Sequence, residues 1–304
     1  MQNQRASLQQ RQIRTGDVDI QIEDHEGPGA PVLFLHFSGA NLRMWDRIIP
    51  QMKSAHRCIA VDLRGHGKSS APASGYNASD FAGDVLGVLD ALAIGRAHLV
   101  GSSLGAEVGL RLAAAHPERV LSLTADGALC SEYGPYGTRP FPSLDEDSDM
   151  LERLQAMTER EEKTYVSADA LVKATQAMYE GSPYWDEALA AVTAYGVAQR
   201  EDGAFVNAWR KWANDEYMRD YFRLHVEEDW SRVCCPVLML PDEDVQGDTT
   251  AFDIVKRLSA LPQGPCEILV VPGSDHPFSW MRIPEAMADA TLSFLRQVDS
   301  EVRT

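Results

Sequence analysis

The chain is predicted to be an α/β protein with a mostly parallel, doubly wound sheet and one inserted α-helical segment. Three observations predict it. Short continuous apolar runs, such as Pro31–Leu35 and Ala97–Val100, have the length and composition of strands buried on both faces. Runs with helical spacing alternate with them, the pattern of a parallel sheet covered by helices on both sides. The alternation then lapses between about Ser131 and Trp230, where only helical runs are found, and resumes at Pro236.

The elements follow in order. Residues 1–14 are polar and Gln-rich and are expected to be a flexible leader. Val18–Glu23 alternates as a strand does. Glu26-Gly27-Pro28-Gly29 is a turn, and Pro31–Leu35 is a buried strand. Trp45–Met52 is helical, and Cys58–Val61 is a second buried strand. Asp80–Leu92 places Phe81, Val85, Val88, Leu89 and Leu92 on one helical face. Ala97–Val100 is the next strand, followed by a helix over Ala106–Ala115. Val120–Ala125, Val237–Leu240 and Ile268–Val271 are further strands, and Ile283–Val298 is a closing helix. Within the insertion, helices are expected over Leu144–Glu162, Ala168–Tyr179, Trp185–Gln199 and Phe205–Leu224. The expected organisation is a core of residues 15–130 and 233–304, with residues 131–232 as a helical lid over the carboxyl ends of the strands.

Charge narrows the function. The net charge of -17 disfavours nucleic acid, anionic membrane and strongly anionic substrates as partners. No apolar stretch approaches the roughly 20 residues of a membrane span, and no signal peptide is legible. Five scattered cysteines read as reduced thiols, so a cytoplasmic location is expected.

Chemistry concentrates at Gly101-Ser102-Ser103-Leu104-Gly105, set between a strand and a helix. In that context Gly-x-Ser-x-Gly forms a sharp turn that presents one serine hydroxyl, here Ser103, as a nucleophile. A serine hydroxyl needs a base. His276, in Pro272-Gly273-Ser274-Asp275-His276, follows the last strand and suits that role. An orienting carboxylate is expected from Asp244, just beyond the Val237–Leu240 strand, with Asp126 and Asp242 as alternatives. A developing oxyanion needs donors. The backbone N–H of Leu104 is one, and the second is expected from Ser38, or else Phe37, in the loop after the first buried strand.

These pieces resemble the α/β-hydrolase fold, in its lidded esterase and lactonase branch. The resemblance rests on His36-Phe37-Ser38-Gly39, on the stretch Asp62-Leu63-Arg64-Gly65-His66-Gly67-Lys68-Ser69, on the Ser103 pentapeptide, on His116-Pro117-Glu118-Arg119-Val120 and on the segment ending at His276. It covers roughly residues 18–130 and 233–297. Asn41–Asp46 and Ala91–Ala97 look most like the 3-oxoadipate enol-lactone hydrolases, whose lid is usually shorter. Two departures stand out: Phe37 where members commonly have Gly, and Pro241-Asp242 where they have a Gly-x-x-Asp turn. Serine at the nucleophile position separates the chain from the dehalogenases and epoxide hydrolases, which use a carboxylate there.

The expected activity is therefore hydrolysis of a small-molecule carboxylic ester or lactone through an acyl-enzyme. Lid aromatics, among them Tyr184, Trp209, Tyr217 and Tyr221, with Phe278 and Trp280, suggest a mainly apolar pocket. No cofactor is required. No metal-binding motif is present, and Gly65–Ser69 is not a phosphate loop, because Asp62 stands where that motif needs Gly. A homodimer is compatible with the sequence. Two rival functions are a carbon–carbon bond hydrolase of ring-cleavage products, for which Arg43, Arg64 and Arg139 are candidate carboxylate donors, and a non-catalytic small-molecule receptor.

Overall fold

The computed structural model describes residues 8–302. Its strands are β1 (Leu8–Thr15), β2 (Val18–His25), β3 (Pro31–Leu35), β4 (Arg57–Val61), β5 (Ala97–Ser102), β6 (Val120–Asp126), β7 (Val197–Gln199), β8 (Phe205–Asn207), β9 (Val237–Met239) and β10 (Cys266–Ile268). Eight of them form one sheet in the order β1-β2-β4-β3-β5-β6-β9-β10. β1, β2 and β4 pair antiparallel, and every pairing from β4 to β10 is parallel. From β3 the chain crosses to β4 on one side and later to β5 on the other. The carboxyl ends of β3 and β5 therefore flank a switch point, where open parallel sheets leave a crevice for ligands.

The helices in chain order are α1 (Ile49–Met52), α2 (Ala78–Ala91), α3 (Leu104–Ala115), α4 (Ser148–Glu159), α5 (Ala168–Met178), α6 (Glu187–Tyr195), α7 (Lys211–Tyr221), α8 (Val226–Trp230), α9 (Glu243–Gly247), α10 (Thr249–Leu258), α11 (Ser279–Arg282) and α12 (Pro284–Val302). Every residue of β5 is buried, as expected of a strand covered on both faces. α2 starts with a full capping box, in which Asn77 and Asp80 satisfy each other's backbone N–H groups. None of the described helices is long and apolar enough to cross a membrane, and all five cysteines are free thiols.

Four expectations are corrected. The expected leader is in part a strand: residues 8–14 belong to β1, turned onto β2 through Gly16 at φ +59°. β1 is polar because it is an edge strand; Ile13 is buried, while Arg11 bonds Asp24. Residues 1–7 lie outside the described residues. The insertion is not purely helical, because β7 and β8 form an antiparallel hairpin within it. Its turn uses Gly203 at φ +86°, a conformation that favours glycine. The helices flanking it accordingly stop at Tyr195 and start at Lys211. Leu144–Glu162 is helical only over α4, after a short 3-10 turn at Leu144–Glu146. The last strand, expected over Ile268–Val271, lies earlier, at Cys266–Ile268. Its partner β9 ends at Met239, and the Leu269 N–H makes the final bond of the ladder, to the Met239 carbonyl at 2.9 Å.

α3 packs against the sheet at backbone contact. A Cβ on Gly105 would lie 2.0 Å from the Leu35 carbonyl oxygen, and one on Gly101 would lie 2.3 Å from the Gly105 oxygen. Gly105→Ala must therefore push helix from sheet and is expected to cost roughly 3 kcal/mol, lowering Tm by about 6–12 °C. Gly83→Ala is the control: it is exposed in α2 with nothing within 4 Å of the added carbon, and it should raise stability by about 0.5–1 kcal/mol. Calorimetry of both variants checks this, and an unchanged Tm for Gly105→Ala would contradict the packing argument.

Candidate active site

Ser103 sits where β5 turns into α3, at φ +50° and ψ -117°. That region suits glycine and strains any residue with a Cβ. Neighbouring contacts hold it there. The Ser103 N–H donates to the Asp126 carbonyl at 2.6 Å, and its own carbonyl accepts from Ala106 and Glu107 at 2.8 and 3.1 Å. The expected turn between strand and helix is present.

His276 lies on the loop between β10 and α11. Its carboxylate partner is Asp126, with Nδ1 and Oδ1 2.8 Å apart. Asp126 ends β6, the neighbour of β5, in register with Ser102. It is buried, and its second oxygen accepts from Trp280 Nε1 at 2.6 Å and Ser102 Oγ at 3.0 Å. The expectation that Asp244 orients His276 is corrected. Asp242 caps α9 by accepting from the Val245 N–H at 2.8 Å, which leaves Asp244 exposed in the first turn. Asp242 does reach the histidine, but through the backbone: it accepts from the His276 N–H at 3.2 Å. Burial alone would lower the imidazole pKa. The charge of Asp126 and its hydrogen bond outweigh that and hold it above the ordinary histidine value. With Nδ1–H donating to Asp126, Nε2 is the basic nitrogen. A Cβ on Gly127 would lie 2.8 Å from Ser103 Cα and 3.2 Å from His276 Cε1, so the two residues approach the same point.

The loop after β3 is held by two buried histidines. His36 Nδ1 bonds the Phe37 carbonyl at 2.8 Å, and its Nε2 accepts from the Leu63 N–H at 3.0 Å. His66 Nδ1 bonds the Arg64 carbonyl at 2.9 Å, and its Nε2 accepts from the Gly39 N–H at 3.0 Å. Each ring thus donates on one nitrogen and accepts on the other, as only a neutral imidazole can. Burial agrees, lowering His36 to about 4 and His66 well below the ordinary value. The turn around Gly65–Ser69 is therefore a brace for this loop. Gly39 N–H is used on His66 and Ala40 N–H on Phe37. Ser38 lines the cavity beside Ser103, whereas the Phe37 ring packs edge-on against Phe278 at 5.9 Å.

Ser103, His276, Asp126 and Ser38 border one cavity of about 410 Å³, within the range of small-molecule sites. From the insertion, Tyr217, Met218, Tyr221, Leu224 and Val226 line it. The other aromatics named from the sequence pack elsewhere: Trp209 stacks on His66 at 3.9 Å, and Tyr184 stacks on Phe278 at 4.6 Å. Trp280 is buried against Asp126, a role that sequence reasoning missed. Among the described residues, no lysine or arginine lines the cavity, but Glu107, Glu132 and Asp242 do. The three arginines considered as carboxylate donors are paired elsewhere: Arg43 with Glu23, Arg64 with Asp84, and Arg139 with Glu132. Sequence reasoning also missed Glu107. One group among the described residues could bring three metal-ligating atoms together, His56, His98 and Asp299, within 4.8 Å of one another. It lies at the opposite end of β5 from Ser103, and His98 is bonded there to Ser122 and Asp299.

Residues 30–297 match the family model described as the alpha/beta hydrolase fold. A 2-hydroxymuconate semialdehyde hydrolase from a Pseudomonas species is 37% identical over 122 residues, 39% of this chain and 43% of that protein. The matched stretch thus spans about two fifths of the length of the curated relatives. A solved structure of E-2-(acetamidomethylene)succinate hydrolase superposes with a TM-score of 0.74 at 25% identity, covering 95% of this chain and 100% of that one. The enol-lactonase of Burkholderia xenovorans superposes at 0.66 with 19% identity, covering 94% and 100%.

Proposed function

The chain belongs to the alpha/beta hydrolase fold family, and on that premise we propose that it is a hydrolase that cleaves a small carboxylic ester or lactone through Ser103, His276 and Asp126. The observation that carries this reading is the arrangement of a strained serine and a carboxylate-held histidine on one cavity. Ser103 Oγ attacks the carbonyl carbon while His276 Nε2 takes its proton. Asp126 fixes the tautomer and stabilises the imidazolium. The tetrahedral oxyanion accepts from the N–H groups of Leu104, at the start of α3, and Ser38. Collapse expels the alcohol with the proton from His276 and leaves an acyl-Ser103. Water, deprotonated by His276, then releases the acid. No step uses a cofactor. Residues 131–232 serve as the lid, and the working location is the cytoplasm.

The carbon–carbon hydrolase reading is weaker for this chain despite the Pseudomonas relative. A dienoate carboxylate would enter a cavity whose described lining holds three acids beyond Asp126 and no lysine or arginine. The test is hydrolysis of p-nitrophenyl esters from acetate to decanoate, together with labelling by a fluorophosphonate and peptide mapping. Turnover and an adduct on Ser103 are expected. Absence of both would overturn the reading, and an adduct without ester turnover would return weight to another acyl substrate.

A further inference from the structure

We propose that Glu107 makes this cavity a binding subsite for a cationic amino group, so that the preferred substrate is an ester or lactone bearing an alkylammonium substituent on an otherwise apolar chain. The proposal extends the ester-hydrolase reading to a substrate class and rests on it. Glu107 lies in the first turn of α3, the helix that begins at the residue after Ser103. Both line the one cavity.

Glu107 is unlike the other buried acids. Glu23, Asp24, Asp84 and Asp229 each face an arginine. Asp62 accepts from the backbone N–H groups of Leu42 and Lys68, and Asp126 has His276. Among the described residues, the hydrogen-bond donor to Glu107 is a single neutral hydroxyl, that of Tyr217, 3.1 and 3.2 Å from its two oxygens. One proton cannot fill the roughly four lone-pair positions of a carboxylate. A buried carboxylate without a counter-ion is costly, and this one borders a cavity where a ligand can supply the cation.

The rest of the lining selects the same charge. Asp242 adds negative potential, while the charge of Glu132 is balanced by Arg139. Tyr217 and Tyr221 from α7 border the cavity, and tyrosine rings are a residue type that attracts cations. An anionic substituent meets Glu107 and Asp242 with no lysine or arginine among the described lining residues, and an apolar one leaves Glu107 to be neutralised by a proton. Burial raises the Glu107 carboxyl to about 7. The groups that face it are Tyr217 and Asp220 from α7, Glu132 from the segment after β6, and His276. Asp220 and Glu132 oppose its ionisation while Tyr217 and His276 favour it, so the carboxyl is ready to ionise when a cation arrives.

Binding is measured without turnover, by calorimetry on the Ser103→Ala protein with n-hexylammonium, n-hexanol and n-hexanoate. Hexylammonium is expected to bind at least about tenfold tighter than hexanol, with hexanoate weakest. Its affinity should rise from pH 6 to pH 8 as Glu107 ionises, and its advantage should vanish in Ser103→Ala/Glu107→Gln. Equal or tighter binding of hexanol, or an ammonium preference that survives Glu107→Gln, would overturn the proposal and leave Glu107 as a tie between α3 and α7. If the Gln variant does not fold, the pH profile of a Ser103→Ala/His276→Gln protein decides, since no imidazole charge is lost there: a flat profile overturns the proposal. Failure of the ester reading is separate, since it appears as absent turnover and labelling in the wild type, whatever hexylammonium does.

Discussion

Asp126→Asn is expected to lower kcat/KM for an ester by about 10³–10⁴-fold, while Asp244→Asn stays within about twofold. The size follows from how Asp126 is held. Trp280 Nε1 and Ser102 Oγ both donate to its Oδ2. An asparagine must therefore put its carbonyl oxygen at that position to satisfy them. Its NH2 then faces His276 Nδ1, which must become the acceptor. The proton moves to Nε2, and the histidine can no longer take the proton of Ser103. Loss of the charge also removes what raises the His276 pKa, so the acid limb of the pH–rate profile should move to lower pH. Stability carries the same sign. A histidine raised in the folded state stabilises fully below its unfolded pKa of about 6.5 and ceases to do so as pH rises through its folded value. The variant should therefore lose more stability at pH 5 than at pH 9. Steady-state kinetics and melts at the two pH values check both parts. Near-normal turnover in Asp126→Asn would return the acid to Asp242 or Asp244.

The choice between those acids shows what a sequence can and cannot carry. Asp126 and Asp244 both follow strands, and both precede His276 in the chain. Spacing cannot separate them. Sheet order does, because β6 is hydrogen-bonded to β5 and puts Asp126 level with Ser102, while β9 lies one strand further out. The loop after β9 also has local work for its acids: Asp242 and Asp248 cap α9 and α10. By contrast, β3, β4, β5 and β6 were legible because strands buried on both faces read as continuous apolar runs. The elbow was legible because its glycines answer a backbone contact only 2.0–2.3 Å from a hypothetical Cβ. β1 was not, since an edge strand of Gln and Arg has the composition of a tail. Glu107 was hidden for another reason. It is one acid in the helical run Leu104–Ala115, and only the Tyr217 hydroxyl reaching it from α7 and the cavity beside it reveal its place.

Ser103→Ala is expected to reduce turnover by about 10⁵–10⁶-fold with Tm nearly unchanged, because alanine keeps the Cβ and hence the strained φ of +50°. Ser103→Gly should lose the same activity yet gain stability. Glycine occupies that backbone region without the penalty of about 1–3 kcal/mol that other residues carry. Its greater freedom in the unfolded chain offsets part of the gain, roughly 0.5–1 kcal/mol. A net rise of about 1 kcal/mol over Ser103→Ala is the expectation, or a Tm higher by about 2–4 °C. Retained turnover in the alanine variant would remove Ser103 as nucleophile. A glycine variant no more stable than the alanine one would show that the elbow stores no strain. If both results come out as expected, the chain holds a serine where glycine would fold more stably. The hydroxyl is then the reason for that residue, and strain at the elbow is part of how the site is built.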